Sequence, residues 1–72
     1  MRIEKEMFAR WKKYTDLLLA EHNMRAEDIV SPRVAWDIAF KLDFWKEAYH
    51  VGCNDNHIET ALKRIFPRAW GK

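Results

Sequence analysis

The chain is predicted to be all-α, a small bundle of three to four helices. Apolar residues recur at helical spacing over long stretches, whereas valine, isoleucine and threonine are sparse and never alternate with polar residues. The two glycines and two prolines all stand where helices should begin or end. No repeat, low-complexity tract or internal linker divides the 72 residues, so residues 1–72 are read as a single helical domain.

The first helix is expected over roughly 4–22. Ile3, Met7, Trp11, Tyr14 and Leu18 recur at helical spacing as one apolar stripe, which Phe8, Leu17 and Leu19 widen. Glu6, Arg10 and Lys13 lie opposite. The stretch HNMRAEDIVS connects this helix to the next. It has room for one helical turn, with Ile29 and Val30 tucked inward.

Ser31-Pro32 marks the next start, because a serine hydroxyl can cap free backbone N–H groups and proline suits the first helical position. The pattern continues over 32–51. Ala35, Ile38, Ala39, Leu42, Trp45 and Tyr49 form one stripe, and Trp36, Phe40 and Phe44 form a second. A helix apolar on two sides lies between neighbours. Asp43 could also cap a fresh helix beginning at Phe44, so one long helix and two helices broken near residue 43 both satisfy the pattern. Gly52 ends this region. Asn54 is suited to cap a last helix over roughly 54–66, with Asp55 favourably placed against its dipole. Ile58, Ala61, Leu62 and Ile65 supply its apolar face, and Pro67 stops it. The tail RAWGK is expected to fold Trp70 back onto the body or onto a partner.

Several function classes are disfavoured by composition. With 33% charged and 49% hydrophobic residues the chain is globular rather than disordered. Net charge is +2. Residues 1–36 carry seven basic and six acidic side chains and residues 37–72 carry six and five, so no strongly basic field announces nucleic acid. The charged N-terminus MRIEKEMFARWKK does not read as a signal peptide, and the apolar run Leu17 to Ala20 is far too short to span a bilayer. The single cysteine, Cys53, precludes an intramolecular disulfide and suits a reducing, cytoplasmic setting.

Catalysis finds little support. The one serine, Ser31, is better used as a cap, and no glycine-rich phosphate loop is present. Neither an enzyme nor a cofactor is expected. His50, Cys53 and His57 form an H-x2-C-x3-H cluster with zinc-type ligands, but the spacing is not that of a common zinc module. The reading opposed to a metal is a buried thiol beside two surface histidines.

Four tryptophans are hard to hide in so small a body, and a domain of this size buries only about 60% of its unfolded surface. Phe8, Trp11 and Tyr14 on the first helix, with Trp70 in the tail, are therefore candidate partner-binding residues, and a homodimer or a protein partner is the corresponding expectation. Core packing is the competing use of the same rings. A membrane-surface helix is opposed by Glu4, Glu6 and Asp16.

The stretch EAYHVGCNDNHIETALKRI, residues 47–65, carries a more specific pattern. A helix-turn-helix needs an alanine where two helices approach. A glycine four positions later takes the positive φ, and a small inward residue follows it. A polar cap then opens the second helix, and branched apolar residues lock it down. Ala48, Gly52, Cys53, Asn54, Ile58, Ala61 and Leu62 meet these needs in order. The stretch resembles the helix-turn-helix superfamily of DNA-binding domains at the level of the motif, which would make the bundle end in a helix-turn-helix-like corner.

The resemblance implies that the last helix enters the major groove of double-stranded DNA with Asn54, Asp55, Asn56, Glu59, Thr60 and Lys63 outward. It would let Asn56 pair with adenine and Glu59 accept from cytosine. Lys63 and Arg64 would reach phosphate or guanine, and Arg68 and Lys72 would add backbone contacts. The bland alternative is an ordinary packed corner, with Glu59 and Lys63 merely paired at i, i+4. The functional expectation is a DNA-binding or transcription-regulatory protein. Its alternative is a non-enzymatic protein-interaction module.

Overall fold

A computed structural model of the chain describes residues 5–71. The expected roles of Ile3, Glu4 and Lys72 lie outside the described residues. The fold is all-α: α1 (Lys5–Glu21), a single 3-10 turn (Ala26–Asp28), α2 (Pro32–Lys41), α3 (Phe44–His50) and α4 (Asp55–Ile65). No strand occurs among the described residues, and no helix among them is long and apolar enough to cross a membrane.

Among the described residues, three of the four α-helices end through a residue in the left-handed region. Asn23 (φ 58°) follows α1, Asp43 (φ 58°) follows α2 and Gly52 (φ 84°) follows α3. After α1, Met24 N–H reaches back to Leu19 O at 2.9 Å and Asn23 N–H to Ala20 O at 3.1 Å. After α3, Cys53 N–H reaches Ala48 O at 2.8 Å and Gly52 N–H reaches Tyr49 O at 3.1 Å. These paired bonds satisfy carbonyls that a helix end leaves free. Glycine takes the conformation without a Cβ clash, and asparagine and aspartate tolerate it better than other side chains.

The break at Asp43 decides between the two arrangements left open by the sequence, and it rearranges the expected stripes. At about 100° per residue, an unbroken helix would set Phe44 and Ala48 opposite Ala35 and Ala39. The left-handed residue reorients the chain, so that Ala35, Ile38 and Ala39 of α2 and Phe44 and Ala48 of α3 are all buried. Trp45 is only half-buried, while Tyr49 and Phe40, expected on apolar stripes, are 56% and 74% exposed.

A smaller correction applies to α1. Its buried residues are Met7, Trp11, Thr15 and Leu19, a spacing of four that rotates the inward face away from Tyr14 and Leu17. The polar Thr15 occupies a core position, and this disguised the true face. Its hydroxyl is fully buried and has no hydrogen-bond partner. Two further expectations change: Val30 faces solvent while Ile29 is buried, and Ser31 heads α2 without a side-chain cap, leaving the start to Pro32.

The core is held at its centre by Trp11 of α1, whose ring stacks on Phe44 of α3 at 4.3 Å between centroids and 1° between planes. Trp11 Nε1–H donates to Glu47 Oε1 at 2.8 Å, so the indole is buried with its one donor satisfied. Glu47 also pairs with Arg10. Burial pushes the Glu47 carboxyl up, but the hydrogen bonds from Arg10 and Trp11 outweigh it and hold the group below the usual carboxylate range. Ile58, Leu62 and Ile65 of α4, together with Phe66 just beyond it, complete the interior.

Thr15→Val keeps the shape of this buried side chain and removes a hydroxyl whose desolvation is uncompensated. It is expected to stabilise the fold by about 1 kcal/mol, read as a higher denaturant midpoint with an unchanged slope. A lower midpoint would show that the hydroxyl finds a partner in solution.

Candidate nucleic-acid interface

The corner between α3 and α4 is built from the residues that the motif requires. Ala48, Cys53, Ile58, Ala61 and Leu62 are buried, and Gly52 takes the positive φ between the helices. Asn54 caps α4 through a reciprocal pair: its side chain accepts from His57 N–H at 3.2 Å, and its own N–H donates to His57 Nδ1 at 3.2 Å. Histidine here fills the place that glutamate or glutamine usually takes in such a box.

The polar side of α4 is not covered by the rest of the described chain. Asn56, Thr60 and Lys63 are exposed and share one face, with Glu59 half-buried at its edge. Lys63 Nζ lies 3.6 Å from Glu59 Oε2, an i, i+4 pair in solvent. The Thr60 hydroxyl donates to Asn56 O at 2.9 Å, which fixes its rotamer and leaves its oxygen free to accept.

The other sequence-derived candidates are differently used. Asn54 is committed to the cap. Asp55 does not stand free: its Oδ1 accepts from Trp45 Nε1–H and from Tyr49 O–H, both at 2.8 Å. These bonds lower the Asp55 carboxyl, the Tyr49 bond contributing most, and in return Asp55 raises the Tyr49 phenol. Asp55 therefore ties α4 to α3 and keeps its negative charge on that side of the helix. Arg64 lies with its guanidinium carbon 4.9 Å from the centre of the Phe8 ring, and Arg68 is exposed beyond Pro67.

Of the residues expected to meet a partner, Trp11 is excluded by burial, being 1% exposed beneath α3. Phe8 is half-buried under Arg64, and Trp70 is half-buried against the core. Tyr14 is 45% exposed. The exposed aromatic surface lies elsewhere. Phe40 and Trp36 each sit 5.3 Å from Trp45, ring centre to ring centre, and Trp45 shares its acceptor Asp55 with Tyr49. Sequence periodicity does not reveal this cluster, because Trp45 meets Trp36 and Phe40 across the break at Asp43, where the pattern leaves the helix direction open.

His50, Cys53 and His57 do not gather into a ligand set. Cys53 is buried, and His57 Nδ1 is occupied by the cap. Among the described residues, no group of three or more His, Cys, Asp or Glu side chains is placed to hold a metal ion.

The Asp55 contacts have a pH signature. A carboxyl whose folded pKa is lowered contributes stability that is present above its ordinary value of 3.8 and lost as pH falls through the folded value. The Trp45 indole N–H resonance is expected to titrate with a midpoint below 3.8 and to lose that titration in Asp55→Asn. A midpoint at or above 3.8 would contradict the paired geometry.

Comparison with known proteins finds no matching family model, no matching curated protein and no matching solved structure, so the functional reading rests on the geometry of this chain.

Proposed function

We propose that the protein is a small DNA-binding or regulatory protein that lays α4 in the major groove. The observation that carries this reading is the α3–α4 corner. It closes on Ala48, Cys53, Ile58 and Leu62 while leaving Asn56, Thr60 and Lys63 exposed on one face. Asn56 is suited to a bidentate contact with adenine, and Lys63 to guanine or phosphate. The Glu59–Lys63 pair is solvent-screened and worth only a few tenths of a kcal/mol, so it yields readily when a phosphate offers a stronger partner. No catalytic step is assigned. The lone buried thiol of Cys53 is at home in the reducing cytoplasm.

An NMR titration with mixed-sequence duplex is expected to shift amides in 54–64 at low salt, and the shifts should fade as salt rises. Lys63→Glu should weaken binding by about tenfold or more, in line with a lost base contact of about 1–3 kcal/mol. Absence of shifts at low salt would remove the proposal.

A second reading, a protein-interaction module or homodimer without nucleic acid, is favoured by one specific feature. Phe40 is 74% exposed beside Trp36 and Trp45. Phe40→Ser is expected to change folding stability by no more than about 0.5 kcal/mol, since the ring is largely solvated. If the aromatic cluster is a contact surface, the same change should lower the sedimentation coefficient at high protein concentration. An unchanged coefficient would reject self-association through this cluster.

A further inference from the structure

Around α4, at about 100° per residue, the exposed face is centred between Asn56, Thr60 and Lys63. Arg64 flanks it on the side of α1, and Asp55 and Glu59 flank it on the side of α3. The α1 side opens into a cleft of roughly 410 Å³ between α1, the 3-10 turn and the end of α4. Lys12, Arg25 and Arg64 line it, together with Asp16 and Glu27. Lys12 holds Asp16 at 2.9 Å, whereas neither Arg25 nor Arg64 makes an ion pair among the described residues. Ala20, Met24, Ile65 and Pro67 give the cleft apolar walls.

Resting on the DNA reading above, we infer that this cleft seats a phosphodiester of the nucleic-acid backbone, with Arg25 and Arg64 as its ligands and Lys12 as a supporting charge. Two guanidinium groups that make no ion pair among the described residues are suited to the fork geometry of phosphate. Arg64 is already steered by the Phe8 ring, so less side-chain freedom is lost on binding.

Position decides the occupant. Arg64 lies eight residues beyond Asn56, about 12 Å along the helix axis. A recognition helix contacts base edges with its N-terminal residues, so a helix reading bases near Asn56 leaves Arg64, toward its other end, facing the flanking backbone. The strand would follow the α1 side. The α3 side, where Asp55 and Glu59 would repel phosphate, would face away from it.

The test is the salt dependence of binding to a labelled mixed-sequence duplex, run beside a titration with inorganic phosphate alone. Arg25→Gln is expected to reduce the slope of log affinity against log salt by about 0.9, the value for one duplex phosphate contact. Lys12→Gln, on a different element, should reduce it in the same direction and keeps the question answerable if Arg25→Gln fails to fold. Arg33→Gln, which removes the same charge from the exposed surface of α2, should leave the slope unchanged. If duplex binds and the cleft variants keep the full slope, the cleft assignment is overturned and the DNA reading stands. Failure of the unaltered protein to bind duplex at low salt overturns both. Shifts of Arg25 and Arg64 by inorganic phosphate in that case would show a free-anion site, which also rejects the backbone assignment.

Discussion

The left-handed residue at Asp43 governs the arrangement of this protein. It separates α2 from α3 and brings Phe44 and Ala48 onto the inward side. Phe44 then becomes available to stack on Trp11, and Ala48 becomes the close-approach point for α4. An aspartate in this conformation costs about 1–2 kcal/mol relative to an ordinary one. That cost is offset because burial of two large rings in face-to-face contact contributes several times as much. A straight helix through residue 43 would turn Phe44 outward and leave α4 without its corner.

Downstream of that break, α3 serves as the hub although it has only seven residues. A helix this short is not stable by itself, so its position must come from tertiary contacts. Toward α1 it offers Phe44 for stacking and Glu47 as acceptor for Trp11 and Arg10. Toward α4 it offers Ala48 at the corner, and Trp45 and Tyr49 as donors to Asp55. In both directions an aromatic N–H or O–H meets a carboxylate. These charge-assisted bonds are directional, and they set helix orientation where apolar contact alone would allow sliding. A chain of 72 residues has little core to spare, which makes such orienting contacts more important than in a larger domain.

What the sequence made legible follows from how local each signal is. The all-α class, the Pro32 start, the Asn54 cap and the Gly52 corner depend on residues within one turn of each other, and all are present in the structure. The identity of the α4 core residues was equally readable, because a single stripe fits one orientation. Asp43 was ambiguous since aspartate serves both as a cap and as a left-handed residue, and only tertiary contact with α1 selects the break. Tyr49 leaves its expected stripe because of that break, whereas Phe40, on the second stripe of α2, stays largely exposed. In α1 the buried Thr15 misled the reading for a different reason, as a polar side chain on the inward face shifts the apparent stripe toward Tyr14. The Asp55 contacts join residues six and ten positions apart across the corner, and the cleft joins α1 to α4. Neither pairing has a local signature.

The near-neutral charge of the chain argues against nucleic acid only if the charges are mixed evenly, and around α4 they are not. Asp55 and Glu59 lie toward α3, and Asp55 is held there by two aromatic donors. Arg64 lies toward α1, and the cleft beside it adds Arg25 and Lys12 against Asp16 and Glu27, so the cations there exceed the acids by one. A helix with acids along one flank and an arginine on the other has a preferred direction of approach to a polyanion. On the proposed DNA reading, phosphate would be attracted on one side and repelled on the other, and the orientation in the groove would be selected before any base is read. Few phosphate contacts imply modest non-specific affinity. Discrimination would then depend on the exposed Asn56 and Lys63, and on a second copy of the chain if paired half-sites are used. Weak net charge and the proposed groove-reading role of α4 are compatible on these terms because the field that would matter is local to one edge of the helix.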